Sequence, residues 1–168
     1  WYERHFDSLK GQVIGEGSPS YTTGEFSALA AARIAADLPD VKLIFIARHP
    51  IERLASAYIQ LFDSGLKPGP FTKELQTSPK LIPSSCYNAR LADYRDHFPP
   101  EAIHVMFLDD LKEDYSGEMN RLFEFLDVSS DVDLGPPLRP QNSRKVKRTD
   151  RLFVKTLRKN KLLLSLNW

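Results

Sequence analysis

Cysteine is nearly absent. Cys86 is the single one in 168 residues. No internal disulfide can form, and no thiolate cluster can hold a metal. Long hydrophobic runs are missing too. The most apolar stretches, 43–47 and 162–164, fall far short of the ~20 residues of a membrane-spanning helix. The sequence therefore predicts no membrane segment, and no secretory signal opens it. Repeats and low-complexity tracts are absent, which excludes solenoid and fibrous architectures. The four histidines, His5, His49, His97 and His104, lack the close spacing of a zinc site, so no metal is expected. The Ser84-Ser85 pair has no nucleophile-elbow context. Cys86 precedes an apolar helix face and reads as a buried thiol rather than a nucleophile.

What is present is ordinary globular composition, with 42% hydrophobic and 27% charged residues, enough to bury a core. The prediction is one domain over residues 1–168. The first residue is Trp1 rather than Met, so a fragment with its natural N-terminus upstream is expected. The net charge of +1 hides an asymmetry. Residues 139–161 hold ten Lys/Arg and one acid, Asp150, a balance of +9, so the remainder carries −8. Such a block points to an anionic partner; its bland reading is a solvated helix face. Phe153 is its only aromatic, so nucleic acid is not the expected partner.

Along the chain, residues 12–16 read as a short strand, and Thr22 with Glu25 fits a capping box. The helix that follows places Phe26, Leu29, Ala30, Ile34 and Leu38 on one face. Residues 41–47 are a β-branched and aromatic run, as for a strand buried on both sides. Strand, helix and strand with short connections indicate a parallel sheet. Pro50 stands where it would start a helix, with Ile51, Leu54, Ala55, Tyr58 and Leu61 facing inward. Residues 63–85 show no sustained period and read as a long functional loop. Tyr87, Leu91, Tyr94 and Phe98 mark another helix, 103–108 a third strand, and Tyr115, Met119, Leu122 and Leu126 a further helix. A helix is also expected from Asp150.

The chemistry concentrates where residues 43–58 run from strand to helix. The strand delivers Arg48 at its C-terminal end, the edge where open α/β sheets bind ligands. A proline-started helix leaves at once, and its first N–H groups favour an anion. Arg48 can fork onto a phosphate. Ser56, eight residues on, sits about two helical turns along and offers one more donor. Together these residues form a phosphate cradle without a glycine-rich loop. From spacing alone, a surface ion pair for Arg48 and a packing role for Ser56 stay open.

The pattern Arg48-x-Pro50-x-x-Arg53-x-x-Ser56-x-Tyr58 resembles the 3′-phosphate-binding motif of sulfotransferases that use 3′-phosphoadenosine 5′-phosphosulfate (PAPS). Gly15-Glu-Gly-Ser18-Pro19-Ser-Tyr21, Trp1-Tyr2 with Phe6, Cys86-Tyr87 with Leu91 and Tyr94, residues 103–111 and Phe125-Leu126 are similar to the same family, notably its heparan-sulfate-type and bacterial branch. The resemblance spans most of residues 1–128. It implies an α/β, three-layer P-loop NTPase-like fold around a central parallel sheet, here without its first strand and P-loop. It implies PAPS as co-substrate, no metal, and sulfuryl transfer to an acceptor hydroxyl or amine, on a carbohydrate by similarity to the glycan branch. Arg48 and Ser56 would hold the 3′-phosphate; Arg53, Tyr58 and Pro50 would support the helix. The basic segment occupies the place of the family's cofactor-covering loop, so Arg144, Lys145, Lys147 and Arg148 would contact the cofactor or an anionic glycan.

Three departures stand beside the resemblance. The family's phosphosulfate loop should precede Trp1, and no Gly/Lys/Thr-rich turn of that kind occurs in the sequence. Its usual catalytic base belongs upstream as well; within the chain Glu16 is the weak candidate for direct participation. Many heparan-type members carry lysine where Gly17 stands here. These departures keep open a degenerate, non-catalytic module that binds an anionic glycan or nucleotide. A P-loop kinase is the lesser alternative, because it needs a Walker loop and a magnesium carboxylate. A cytoplasmic, bacterial setting is expected over a Golgi lumen, from the single cysteine and the alanine-rich helix.

Overall fold

A computed structural model describes residues 13–24 and 26–135. The chain runs through a 3₁₀ turn (Pro19–Thr22), α1 (Phe26–Asp37), β1 (Leu43–Ala47), α2 (Pro50–Asp63), α3 (Phe71–Thr77), a 3₁₀ turn (Pro83–Ser85) and α4 (Tyr87–Arg95). It continues with a 3₁₀ turn (Pro100–Ala102), β2 (Ile103–Phe107), α5 (Leu108–Glu113) and α6 (Tyr115–Leu126). β1 and β2 pair in parallel, from Leu43 opposite Ile103 to Ala47 opposite Phe107. A parallel pair needs a long crossover, which α2, α3 and α4 provide. Both strands therefore end side by side, with Arg48 just past that edge. Among the described residues, no helix is long and apolar enough to cross a membrane.

Two apolar clusters hold these elements. Ile51, Leu54 and Ala55 of α2 pack with Phe71 and Leu81, flanked by Ala57, Tyr58, Leu75 and Ile82. Pro50 takes the first helical position, as expected from its fixed φ and missing N–H. The second cluster joins Ala31 of α1 to Tyr94 and Phe98, with Leu43 and Ile103 of the two strands beside it. Tyr94 also donates its hydroxyl to Tyr21 O at 2.9 Å. Arg90 bonds the carbonyl of Gly24, whose φ of +48° suits glycine.

Several elements differ from expectation. Residues 13–16 are exposed and form no strand. A strand requires a neighbour that completes its ladder, and among the described residues none lies beside them. Thr22 closes the 3₁₀ turn rather than capping α1, which starts at Phe26; Glu25 lies outside the described residues. Thr23 supplies the local bond instead, its hydroxyl donating to Pro19 O at 2.9 Å.

The buried face of α1 is also rotated. Ser27 and Ala31 are buried, while Phe26 and Leu29 are 51% and 50% exposed. Alanines on nearly every face of this helix blur the period. Close approach to α4 then selects the small residues. β1 has one covered face among the described residues, not two: Ala47 is buried, but Ile44 and Ile46 are 42% and 61% exposed. Residues 63–85 are not a bare loop. They hold α3 and contribute Phe71 and Leu81 to the core. A helix of seven residues spans about two turns, too few for a period to emerge from sequence.

α5 was not expected; it follows β2 directly and leads into α6. Asp114 caps α6, its carboxylate accepting the Gly117 N–H at 2.9 Å. Asp114→Ala is expected to destabilise the chain by about 1 kcal/mol, the usual worth of an N-cap, as read by urea unfolding. At the far end, Lys42 donates to Phe125 O at 2.7 Å and pairs with Asp127. That docks the end of α6 beside the start of β1.

Candidate functional site

Arg48 follows the last residue of β1. Beyond it, His49 and Pro50 open α2, and the side chain of the N-cap residue His49 makes no capping bond among the described residues. The end of a parallel strand and the positive end of a helix dipole therefore meet at one point. The Arg48 guanidinium is folded onto the first turn of α2, where it donates to Glu52 O. Its Nε is buried and has no partner among the described residues. A guanidinium carries five N–H donors, so this one keeps donor capacity for an anion.

Glu52 and Ser56 are four residues apart on α2 and so share a helix face. The carbonyl that the Arg48 guanidinium holds thus belongs to the residue one turn before Ser56, about 6 Å of axial rise away. Ser56 is exposed, and its hydroxyl is free of protein partners among the described residues. Arg53, one turn into the helix, donates to Ser85 Oγ at 2.9 Å, and Ser85 Oγ in turn donates to Leu81 O at 3.0 Å. Burial lowers the Arg53 pKa, Tyr87 opposes that, and the Arg48 charge adds a smaller lowering. The Arg48 guanidinium beside the start of α2 therefore carries the positive charge offered to an anion at this edge.

The main chain of Arg48 is itself gripped. The Tyr87 hydroxyl donates to Arg48 O at 2.9 Å and lies 3.5 Å from Arg48 N. The Tyr87 ring stands edge-on to Phe45 of β1, with centroids 5.7 Å apart. Burial raises the Tyr87 pKa above the usual tyrosine value, against opposing effects of the Arg48 backbone bond and of Arg53 and Arg48. The hydroxyl therefore keeps its proton as a donor at neutral pH.

The other residues singled out from sequence fall elsewhere. Glu16 is exposed and accepts the Tyr21 hydroxyl at 2.6 Å; no hydrogen bond or ion pair among the described residues joins it to Arg48. A Cβ built on Gly17 would meet nothing within 4 Å among the described residues. Arg144, Lys145, Lys147 and Arg148 lie outside the described residues, as does the helix expected from Asp150. His49 and His97 are exposed, and His104 stacks on Phe125 at 5.1 Å. No cluster of metal-ligating side chains occurs among the described residues. Cys86 is half-buried at the N-cap of α4 rather than fully buried.

Tyr58 supports α2 as expected, donating to Gly69 O at 2.7 Å and meeting Phe71 edge-on. Sequence reading missed Ser85 as a partner of Arg53 and the Tyr87 hydroxyl as a partner of Arg48. Tyr87 stood out as one position of an apolar helix face and as part of the Cys86-Tyr87 resemblance, and neither says anything of its hydroxyl.

The sequence pattern described as "Sulfotransferase family" matches residues 12–132, which contain the whole of this site. The chain belongs to the sulfotransferase family. It is similar to mouse heparan sulfate glucosamine 3-O-sulfotransferase 3B1, with 33% identity over 129 residues, 71% of this chain and 32% of that protein. Human heparan sulfate glucosamine 3-O-sulfotransferase 6 is 31% identical over 144 residues, 75% of this chain and 39% of that protein. The chain thus spans about a third of the length of these curated relatives. Among solved structures, a sulfotransferase from Alicyclobacillus acidocaldarius superposes with a TM-score of 0.68 at 24% identity, covering 93% of this chain and 64% of that one. The sulfotransferase domain from the curacin biosynthetic pathway gives 0.58 at 20% identity, covering 76% and 43%. The α/β arrangement of this chain, with its short parallel sheet, is that of the P-loop-like sulfotransferase fold.

Proposed function

We propose that this chain carries the 3′-phosphate-binding part of a sulfotransferase that moves a sulfuryl group from PAPS to a carbohydrate hydroxyl or amine. The observation that supports this most is Arg48: a guanidinium at the C-terminal end of β1, beside the start of α2, with a buried Nε that lacks a partner among the described residues. The donor set suits a phosphate dianion. Arg48 forks onto the 3′-phosphate, Ser56 adds a hydroxyl donor, and the start of α2 adds its dipole. Of the basic segment, Arg144, Lys145, Lys147 and Arg148 serve the cofactor or an anionic glycan.

In the reaction, an acceptor oxygen or nitrogen attacks sulfur. The new bond to sulfur forms as its bond to the 5′-phosphate oxygen breaks, and 3′-phosphoadenosine 5′-phosphate leaves. A base takes the acceptor's proton. The contribution of the described residues is positioning and anion binding, the kind of catalysis such transfers demand. The heparan sulfate enzymes among the relatives support a glycan acceptor.

Calorimetric titration of the full chain with 3′-phosphoadenosine 5′-phosphate and with adenosine 5′-phosphate tests this reading. Charge-assisted bonds to the extra phosphate should favour the bisphosphate by at least about tenfold. Equal affinity for the two ligands would sink it. Gly17 favours a second reading, a module that binds without catalysing, because it offers no cationic side chain there and leaves open space among the described residues. Preferential binding with no transfer of labelled sulfate from PAPS to a heparan-type glycan would select that second reading.

A further inference from the structure

We propose that Tyr87 is a positioning residue of the anion site, its hydroxyl fixing the Arg48 main chain from the first residue of α4. The inference rests on the 3′-phosphate reading of Arg48 given above. The β1–β2 ladder stops at Ala47 and Phe107, so the Arg48 peptide lies beyond the sheet's own hydrogen bonds. One hydroxyl takes over there. It donates to Arg48 O at 2.9 Å and presents its lone pairs 3.5 Å from Arg48 N. Only a group that both donates and accepts can address the two sides of one residue in this way.

The ring gives that hydroxyl its aim. It packs edge-on against Phe45, three residues before Arg48 on the same strand. Tyr87 thus bridges the end of β1, with its ring on the last regular turns of the pleat and its oxygen on the first residue past it. Its own position is fixed as well. It opens α4 directly after the Pro83–Ser85 turn, and Ser85 of that turn accepts from Arg53. The two arginines of the strand-to-helix motif are therefore held by residues 85 and 87. One is held through its main chain and the other through its guanidinium. The same turn ends residues 63–85, the stretch expected from sequence to be a long functional loop. A hinge in the Arg48 backbone would move the guanidinium relative to the start of α2, and Tyr87 removes that freedom.

The test removes the hydroxyl and keeps the ring. Tyr87→Phe in the full chain should weaken 3′-phosphoadenosine 5′-phosphate binding about three- to tenfold, the range of one hydrogen bond. Affinity for adenosine 5′-phosphate, which lacks the 3′-phosphate, should stay unchanged. In an Arg48→Ala background, Tyr87→Phe should have no further effect on either ligand. Tyr94→Phe, which deletes the hydroxyl bonded to Tyr21, should leave the ratio of the two affinities as in the parent chain. Replacing Tyr87 with 4-aminophenylalanine, which keeps a donor, should restore the preference. The proposal is overturned if Tyr87→Phe weakens both ligands equally, if its effect persists without Arg48, or if it binds as the parent does. A parent chain that shows no preference for the bisphosphate overturns the 3′-phosphate reading itself, a result separable from the other three.

Discussion

Arg48→Ala is expected to weaken 3′-phosphoadenosine 5′-phosphate binding by about a hundredfold and to leave adenosine 5′-phosphate binding nearly unchanged. The magnitude follows from the bond type. Hydrogen bonds to charged groups contribute about 1.5–3 kcal/mol each, and a guanidinium engages a phosphate with two. Loss of one forked contact, part of it replaced by water, amounts to about two powers of ten. The fold should survive. Among the described residues, the Arg48 side chain makes a single hydrogen bond, to Glu52 O, and such a bond is worth about 1 kcal/mol. Calorimetry with the two nucleotides, paired with a thermal melt, reads both effects. A variant that binds the bisphosphate as tightly as the parent would mean that the anion is held elsewhere.

The largest effect on stability should come from Leu54→Ala. Leu54 is fully buried and lies in the cluster of Ile51, Ala55, Phe71 and Leu81. Truncating such a leucine costs about 2–5 kcal/mol, set by how far the surroundings collapse into the cavity. That is a large part of the roughly 5–15 kcal/mol that holds a typical domain folded. The cluster is also what seats α2, and α2 carries Ser56 and the start at which Arg48 rests. Urea unfolding should therefore show a markedly lower midpoint. Leu29, half exposed on α1, supplies the control, because surface substitutions usually stay within about 0.5 kcal/mol. Similar losses at Leu54 and Leu29 would contradict the packing described here.

Much of the site was legible because it is local. Arg48, Pro50, Arg53, Ser56 and Tyr58 lie within eleven consecutive positions. An apolar strand, a proline and an amphipathic period are enough to place an arginine at a sheet edge and a helix start beside it. The same locality explains why β1, α2, α4 and α6 were recognised. Each is long or apolar enough for its period to show, and each has a proline or an acidic residue near its start or end.

What escaped sequence reading is non-local. The Tyr87–Arg48 bond joins residues 39 apart, and the Arg53–Ser85 bond joins residues 32 apart; no period or spacing encodes either. α1 shows the same limit in packing. Its composition allows several faces to be buried, and contact with Tyr94 and Phe98 chose the one with Ser27 and Ala31. The sequence by itself determined the longer elements and which residue types gather at the end of β1, because backbone propensity and apolar period act over a few residues. Only the tertiary structure decided which faces are buried and which hydroxyls hold the two arginines, because those depend on parts of the chain that meet only once it has folded.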